Sequence, residues 1–585
     1  MTIPVPHNHF TAGTGFSLGL VAERGRWLRF TAILLVALVA MAMGPIPDIL
    51  PHLFLVRQDL VIVAVILFTL AGMNAWRTPE TRRPASISPA TTGRATWLMA
   101  GALVLVGVVG HYLVLWGYAF SRDEQMALFD AEVFASGRLA APLPAYWAAY
   151  HDALNIVFMP AAVEGAGGIS IYRPVNSALH ALVGAVAHPA FTNPLLSAVG
   201  LIATWRIARR ILPGVAVSQL VVVLLYATST QVLALSMTSY AMPGHLALNM
   251  VWLMLLLQDR WYSHVGAIAV GFLAIGLHQV VYHPLFAGPF LFFCLVLRRR
   301  WVLSAIYASA YAAGILLWSK YTALPLAELG VTGKPSDVDQ FLLTRLWWAI
   351  SSISPAYLWT QAANLVRFVA WQHLLFLPLL LAGLVPAVRS RDPRLMGMVA
   401  AIAVVIVFKL VLRPYQGHGW GFRYMHGVVG VACLLGALGW AEVRRKGFVG
   451  QRHLAIATAA SLLIATPWLL WQAHEFSGRF AQTDRKIAAT DADLAVVDDH
   501  TPVFTQDLVY NPPKIDRRPV RLLASKLSPN EIAALCARSS VAFVGSTDLA
   551  RISTLFGPLT RKQDATLPLR DAAQAAGCDI RPLAR

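Results

Sequence analysis

The sequence predicts an all-α polytopic membrane domain of about thirteen membrane-spanning helices, followed by a small C-terminal α/β domain outside the membrane. Three observations carry that expectation. Of 585 residues, 57% are hydrophobic and only 13% are charged, where a soluble domain carries about 25% charge. The apolar residues come in blocks of roughly 17–25, long enough to cross the hydrocarbon core of a bilayer as helices. Basic residues gather between the blocks: Arg77, Arg82 and Arg83; Arg206, Arg209 and Arg210; Arg298, Arg299 and Arg300; Arg389, Arg391 and Arg394; Arg444, Arg445 and Lys446. A barrel would need short alternating segments, and the sequence has none. The net charge of +18 therefore follows the positive-inside pattern. It does not build one basic face, and no nucleic-acid partner is expected.

Taken in order, residues 1–27 lack the charged start, short apolar stretch and cleavage site of a signal peptide, so the block at 28–45 reads as a retained helix. Further spans are expected near 59–75, 96–119, 192–210, 215–235, 243–258, 264–280, 283–298, 301–319, 373–388, 396–412, 424–441 and 453–471. Placing the basic clusters in the cytoplasm puts the N-terminus inside. The loops 46–58, 120–190, 236–242, 281–282, 320–372 and 413–423 then lie outside, with the tail. The chain divides into 1–95, an N-terminal cytoplasmic segment with two helices; 96–472, a transmembrane domain with long outer loops at 120–190 and 320–372; and 473–585, an extracytoplasmic α/β domain. The stretch 176–189 reads as a surface helix, because counting it as a span would invert two basic clusters. Trp347, Trp348, Trp359 and Trp371 in the second long loop suggest helices resting in the headgroup layer. In the tail, 494–497 and 541–545 read as strands, and 528–538 as a helix opened by Ser528-Pro529-Asn530-Glu531. Cys294 and Cys433 fall in apolar blocks, Cys536 and Cys578 are placed to pair if the tail is outside, and no cysteines have metal-ligand spacing.

Chemistry first suggests itself where Ser121-Arg122-Asp123-Glu124 follows the span at 96–119. Acids at the mouth of a membrane meet a falling dielectric, which raises a carboxylate pKa and makes it a better base. The same acids also suit a solvated helix start, and position alone leaves both readings open. The series continues with Gly137-Arg138-Leu139, Pro142, Tyr172-Arg173-Pro174-Val175, Trp205-Arg206-Ile207-Ala208-Arg209-Arg210 and Leu224-Leu225-Tyr226-Ala227-Thr228-Ser229. In order and spacing these residues resemble the GT-C fold of glycosyltransferases that use lipid-phosphate sugars, in particular the branch of protein O-mannosyltransferases and lipid A aminoarabinose transferases. The resemblance covers roughly 96–320 by motif and 373–471 by topology. The two helices before residue 96 are additional to that pattern.

The resemblance implies transfer of a sugar from a polyprenyl-phosphate donor, with inversion. It places the general base on Asp123 and a supporting or acceptor-holding acid on Glu124. Arg173 aligns with the basic residue that meets the donor phosphate, though an interfacial arginine snorkelling to headgroups would look the same. His245 stands where the family has an aspartate. His278 and His283 stand where it has a Lys-Gly-Pro-like element, so they could contact phosphate. Some members use a divalent ion, and these histidines could bind one with Asp123 or Glu124. Their spacing of five does not match a helical metal pair, and no ligand is assigned to metal. Arg413-Pro414-Tyr415 through Gly421-Phe422-Arg423-Tyr424 resembles the family's Gly-Xaa-Arg-Tyr element. It implies phosphate or sugar contact from Arg423 and Tyr424, with Arg413 as a second charge; a plain outer turn is the alternative. The implied partners are membrane lipids, the lipid-linked donor, and a cell-envelope glycan, lipid or protein as acceptor. The implied location is the inner membrane, with a periplasmic tail. Two competing readings are a transporter or lipid flippase, and a non-catalytic relative that binds lipid-linked sugar. Against transport, Lys409 is the main charge within a span, no mid-membrane acid is evident and no ATP-binding motif is present.

Overall fold

The computed structural model describes residues 17–46, 48–75, 88–160, 163, 165–331, 347, 351, 355–412, 416–446, 450–501, 503–556 and 563–584. Arg413 and Trp348, both singled out by sequence, lie outside these. A helix occupies every segment expected to span. Six of them are long and apolar enough to cross a bilayer: Ile49–Ala75, Pro89–Leu113, Trp301–Glu328, Pro393–Val411, Arg423–Arg445 and Gln451–Ala488. Among the described residues the number rises to eight if each of two bent pairs forms one span, Val175–Val186 with Pro189–Ile211 at 120° and Ala216–Ala227 with Thr230–Ser236 at 52°. Five shorter apolar helices are Leu28–Ala42, Met242–Gln258, Trp261–Ile275, Tyr282–Val296 and Phe376–Ser390. The protein is a multi-pass membrane protein. The surface helix expected at 176–189 is the first arm of the 120° pair.

Lipid offers no hydrophobic drive for helices to associate, so they pack through small residues and internal polar contacts. Helices Phe376–Ser390 and Val429–Arg445 do so through Gly383 and Gly439, where an added Cβ would run into the backbone of the facing helix. Around them one apolar core joins Leu201, Tyr226, Trp252, Phe290, Phe376 and Trp440. A second core joins Leu50, Phe54 and Ile62 near the N-terminus to Val366 and Trp371, and then to Phe480, Val497, Leu508 and Val544. The tail therefore shares its core with the membrane helices.

The tail is entered along Gln451–Ala488, 38 residues long. At 1.5 Å per residue this helix extends about 57 Å, well beyond a hydrocarbon core of about 30 Å. The boundary expected at 472/473 falls inside it. Beyond lies a parallel sheet. Numbering strands in chain order, β1 is Ala141–Pro142 and β2 is Gly167–Gly168, a short antiparallel pair in the first outer loop. In the tail β3 is Leu494–Val497, β4 is Val520–Leu523 and β5 is Val541–Val544, in spatial order β4-β3-β5. Every residue of these three strands is buried, as expected of a parallel sheet covered on both faces. The helix Pro529–Cys536 begins with a capping box between Ser528 and Glu531. Cys536 and Cys578 form a disulfide across Cα atoms 5.2 Å apart. Strand β4 had not been expected from sequence.

Candidate functional site

The first outer loop opens with the helix Arg122–Ala135, and Asp123 sits in its first turn. Both of its carboxylate oxygens are engaged. Tyr172 donates its hydroxyl to Oδ1, and Arg423 Nη1 lies 2.6 Å from Oδ2. Burial pushes the Asp123 pKa up, but Arg423, His278 and the Tyr172 hydroxyl outweigh it, and the carboxyl is held below its ordinary value. Three elements far apart in sequence thus meet at one acid: the helix start, the Tyr172-Arg173 segment and the segment beginning at Arg423.

Arg423 is aimed by the loop before it. Gly417, Gly419 and Gly421 have φ of 65°, 148° and 66°, a conformation that favours glycine. The loop folds back so that Gln416 accepts from Arg423 twice, from the backbone N–H at 3.1 Å through Oε1 and from Nη2 through its carbonyl oxygen. The guanidinium lies over the Tyr240 ring at 4.6 Å. Beside it opens a small pocket lined by His245, Asn249, Tyr282, Arg423 and Tyr424 and closed by Met242, Phe286 and Val405. Lys409, 3% exposed, packs against two of the rings that line it, 4.3 Å from the centre of Tyr282 and 4.0 Å from that of Tyr424. Its Nζ donates to the Tyr282 hydroxyl at 3.0 Å. Both His245 ring nitrogens are buried without a hydrogen-bond partner among the described residues.

The remaining expected residues separate. Glu124 points away from this cavity: its oxygens accept from the Phe120 N–H at 3.2 Å and the Ser239 N–H at 2.8 Å. Burial raises its pKa to about 7 against those two bonds. It joins the helix start to the 238–240 turn, which Asn193 also holds through the carbonyls of Thr238 and Tyr240. The His278 ring stacks on Tyr172 at 4.2 Å, so His278 backs the tyrosine that binds Asp123. The Arg173 N–H donates to the His278 carbonyl at 3.2 Å, and its Nη1 to Thr322 Oγ1 at 3.2 Å. His283 is spent elsewhere, between Asn249 Oδ1 at 2.8 Å and the Tyr311 hydroxyl at 2.7 Å. His278 and His283 therefore share no ligand point. Among the described residues no group of three or more His, Cys, Asp or Glu is placed to hold a metal ion.

Several contributors were not foreseen. Tyr172 was quoted only as part of a motif, and Lys409 only as the main charge within a span. Its place deep in an apolar helix was the available signal. The absence of an acid within the spans also needs correction. Asp59, 1% exposed inside the helix Ile49–Ala75, pairs with Arg367 at 3.5 Å and accepts from Trp371 Nε1 at 2.9 Å. Trp371, expected in the headgroup layer, is fully buried because of that bond.

The tail reaches the site as well. Gln125 donates to the Asp507 carbonyl at 2.7 Å, and Asn155 donates to the carbonyls of Gln506 at 2.8 Å and Val509 at 3.1 Å. The Asp507 carboxylate lies 3.5 Å from His418 of the glycine loop. Between the first outer loop and the tail is a second pocket, mostly apolar, with Arg122, Phe129, Met159, Asn511, Pro512 and Ile515 in its walls.

No protein-family model matches the chain, and no curated protein matches it. Among solved structures it is similar to ArnT from Cupriavidus metallidurans in the apo state, at 13% identity and a TM-score of 0.47, covering 73% of this chain and 85% of that one. It is similar also to the same protein bound to undecaprenyl phosphate, at 12% identity and a TM-score of 0.49, covering 84% of this chain and 90% of that one. Likenesses of this size leave function to be argued from the site itself.

Proposed function

We propose that this chain is an integral membrane glycosyltransferase, moving a sugar from a polyprenyl-phosphate donor to an acceptor at the outer face of the inner membrane. In this reading all thirteen apolar segments cross the bilayer, and the region 473–585 stands in the periplasm. One observation carries the proposal: a carboxylate, Asp123, is ion-paired at 2.6 Å to an arginine that also lines a pocket, and a buried lysine, Lys409, packs against two tyrosine rings of that pocket's wall. A lipid phosphate is the ligand that needs two desolvated cations in an otherwise apolar setting.

The donor phosphate enters the cavity beside Lys409, His245 and Tyr424, and its charge draws Arg423 toward it. Asp123 Oδ2 is then free to accept the acceptor's hydroxyl proton. The acceptor oxygen attacks the anomeric carbon from the face opposite the phosphate. The bond from that carbon to the phosphate oxygen breaks, the configuration inverts and the lipid phosphate leaves with the bonding pair. Lys409 and Arg423 offset the charge that grows on it. Arg173 supports the site through His278, and Glu124 holds the helix that carries Asp123. The sugar and the acceptor are not specified by these residues.

The test is the purified protein in lipid, supplied with a polyprenyl-phosphate monosaccharide and a cell-envelope extract. Wild type forms a new glycosidic bond and releases polyprenyl phosphate, whereas Asp123→Asn inserts and folds but transfers at least about a hundredfold more slowly. Full transfer by the variant would remove this mechanism.

A further inference from the structure

The loop that aims Arg423 carries three glycines at positive φ, a backbone free to take many shapes, and something must fix it. Its carbonyls show what does. Arg367, 2% exposed on the helix Pro355–Ala370, donates from Nε to the Gly421 carbonyl at 3.0 Å and from Nη2 to the Gly419 carbonyl at 2.8 Å. Its remaining nitrogen faces Asp59 at 3.5 Å, and its guanidinium lies 4.2 Å from the centre of the Phe54 ring. Trp371, one turn further along the same segment, holds the other Asp59 oxygen. A rigid planar fork is thus spent on two backbone carbonyls within four residues of Arg423, and its charge is balanced by an acid from the N-terminal helices.

We infer that Arg367 and Asp59 are a positioning pair for the transfer reaction: Arg367 grips the 416–422 loop and so aims Arg423 at Asp123, while Asp59 makes that buried cation tolerable. The inference rests on the function proposed above. It also gives a purpose to the helices ahead of residue 96. Neither residue touches the cavity, so both act through the loop. The fork is the working part. A carboxylate at 367 accepts hydrogen bonds and cannot donate to carbonyls, so exchanging the two charges keeps the ion pair and abolishes the grip.

Two variants test this in the full-length protein in lipid. Asp59→Arg with Arg367→Asp preserves the pair and removes the fork; Asp59→Asn with Arg367→Gln removes both charges and leaves one amide donor. Hydrogen–deuterium exchange is followed across residues 416–428 alongside sugar transfer. Expected for the exchanged pair is faster exchange confined to that segment and transfer reduced roughly a hundredfold, the scale of an ångström misplacement. The neutral pair should fall between it and wild type. Full transfer by the exchanged pair would overturn the inference, as would unchanged exchange at 416–428. If the exchanged pair does not accumulate in the membrane, the neutral pair is read by the same two criteria. If wild type transfers no sugar, the functional proposal fails alone, and the exchange data still decide whether Arg367 holds the loop.

Discussion

Two buried carboxylate–arginine pairs lie on opposite sides of one glycine loop, and they differ in what surrounds them. Asp59 and Arg367 are 3.5 Å apart and enclosed: the acid's other oxygen is held by Trp371, and the arginine's other nitrogens by backbone carbonyls. Asp123 and Arg423 are closer, at 2.6 Å, yet their arginine borders a small open pocket, and Lys409 packs against the Tyr424 ring in its wall. Residue type and charge are the same in both, and the acids differ in exposure, the Asp59 side chain at 1% and that of Asp123 at 14%. What separates a reactive pair from a structural one is access to space that a ligand can fill.

That contrast makes opposite demands on two similar variants. Asp123→Asn should lower transfer by about 10²–10⁴, the range of a lost general base. Its cost in stability should be modest, because water in the cavity can reach the abandoned Arg423. Asp59→Asn should leave transfer per folded molecule within about tenfold, since the fork survives. It strands the Arg367 cation, though, and breaking one side of a buried pair costs about 3–5 kcal/mol. Turnover and thermal unfolding of both proteins would check this. Equal losses of transfer would erase the distinction. Next in size is Lys409→Met, which keeps the length of the side chain and removes the charge. It should raise the KM for the donor about tenfold or more, as expected for a charge-assisted bond, and change kcat less. A KM that does not move would take the phosphate out of that cavity. Smaller again is Tyr172→Phe. It removes one donor to Asp123 while the ring still stacks on His278, and kcat should fall by about tenfold. An unaltered kcat would mean Arg423 alone sets the state of Asp123.

The same comparison shows which parts of the molecule are legible in the sequence. Helices were readable because a span needs a long apolar block, and each block holds a helix. Asp123, Arg423 and Tyr424 were readable because each belongs to a short contiguous motif with its neighbours. His283 was misplaced by the same logic. Its spacing from His278 put it at the outer turn, but one residue into the helix it turns toward Asn249 and Tyr311. Asp59 and Arg367 were invisible because their meaning lies in partners about 300 residues away. Strand β4 was missed because Arg521 interrupts its apolar run; the arginine is tolerated there by pairing with Asp484 across to the long helix. Trp371 was read as an interfacial anchor from composition, and only its bond to Asp59 explains its burial. Local chemistry was legible, and the loop's two clamps were not.

A third acid supplies the control without any arginine. Asp130 lies two turns beyond Asp123 on the same helix, and among the described residues its Oδ1 accepts only the Ser170 N–H, at 3.1 Å. Burial raises its pKa to about 7, with that one bond opposing. In the unfolded chain an aspartate loses its proton near pH 4. Between about pH 4 and 7 the folded protein therefore keeps a proton that the unfolded chain has released, so stability falls as pH rises through that window and levels off above it. Asn at 130 is neutral at every pH and can still accept from Ser170. The stability of Asp130→Asn relative to wild type should accordingly climb between pH 5 and 8. Glu124 and Asp507, whose pKa values burial also raises to about 7, act alike in both proteins and cancel in the difference. Asp123, held low by Arg423, contributes the opposite slope at lower pH and cancels too. Thermal unfolding of the two proteins across that range would show a difference of a few degrees at most. A flat difference would mean that Asp130 ionises in the folded state at its ordinary pH. Burial alone would then be too weak on this helix to set an acid's state, and the low pKa of Asp123 would owe less to Arg423 than the geometry implies.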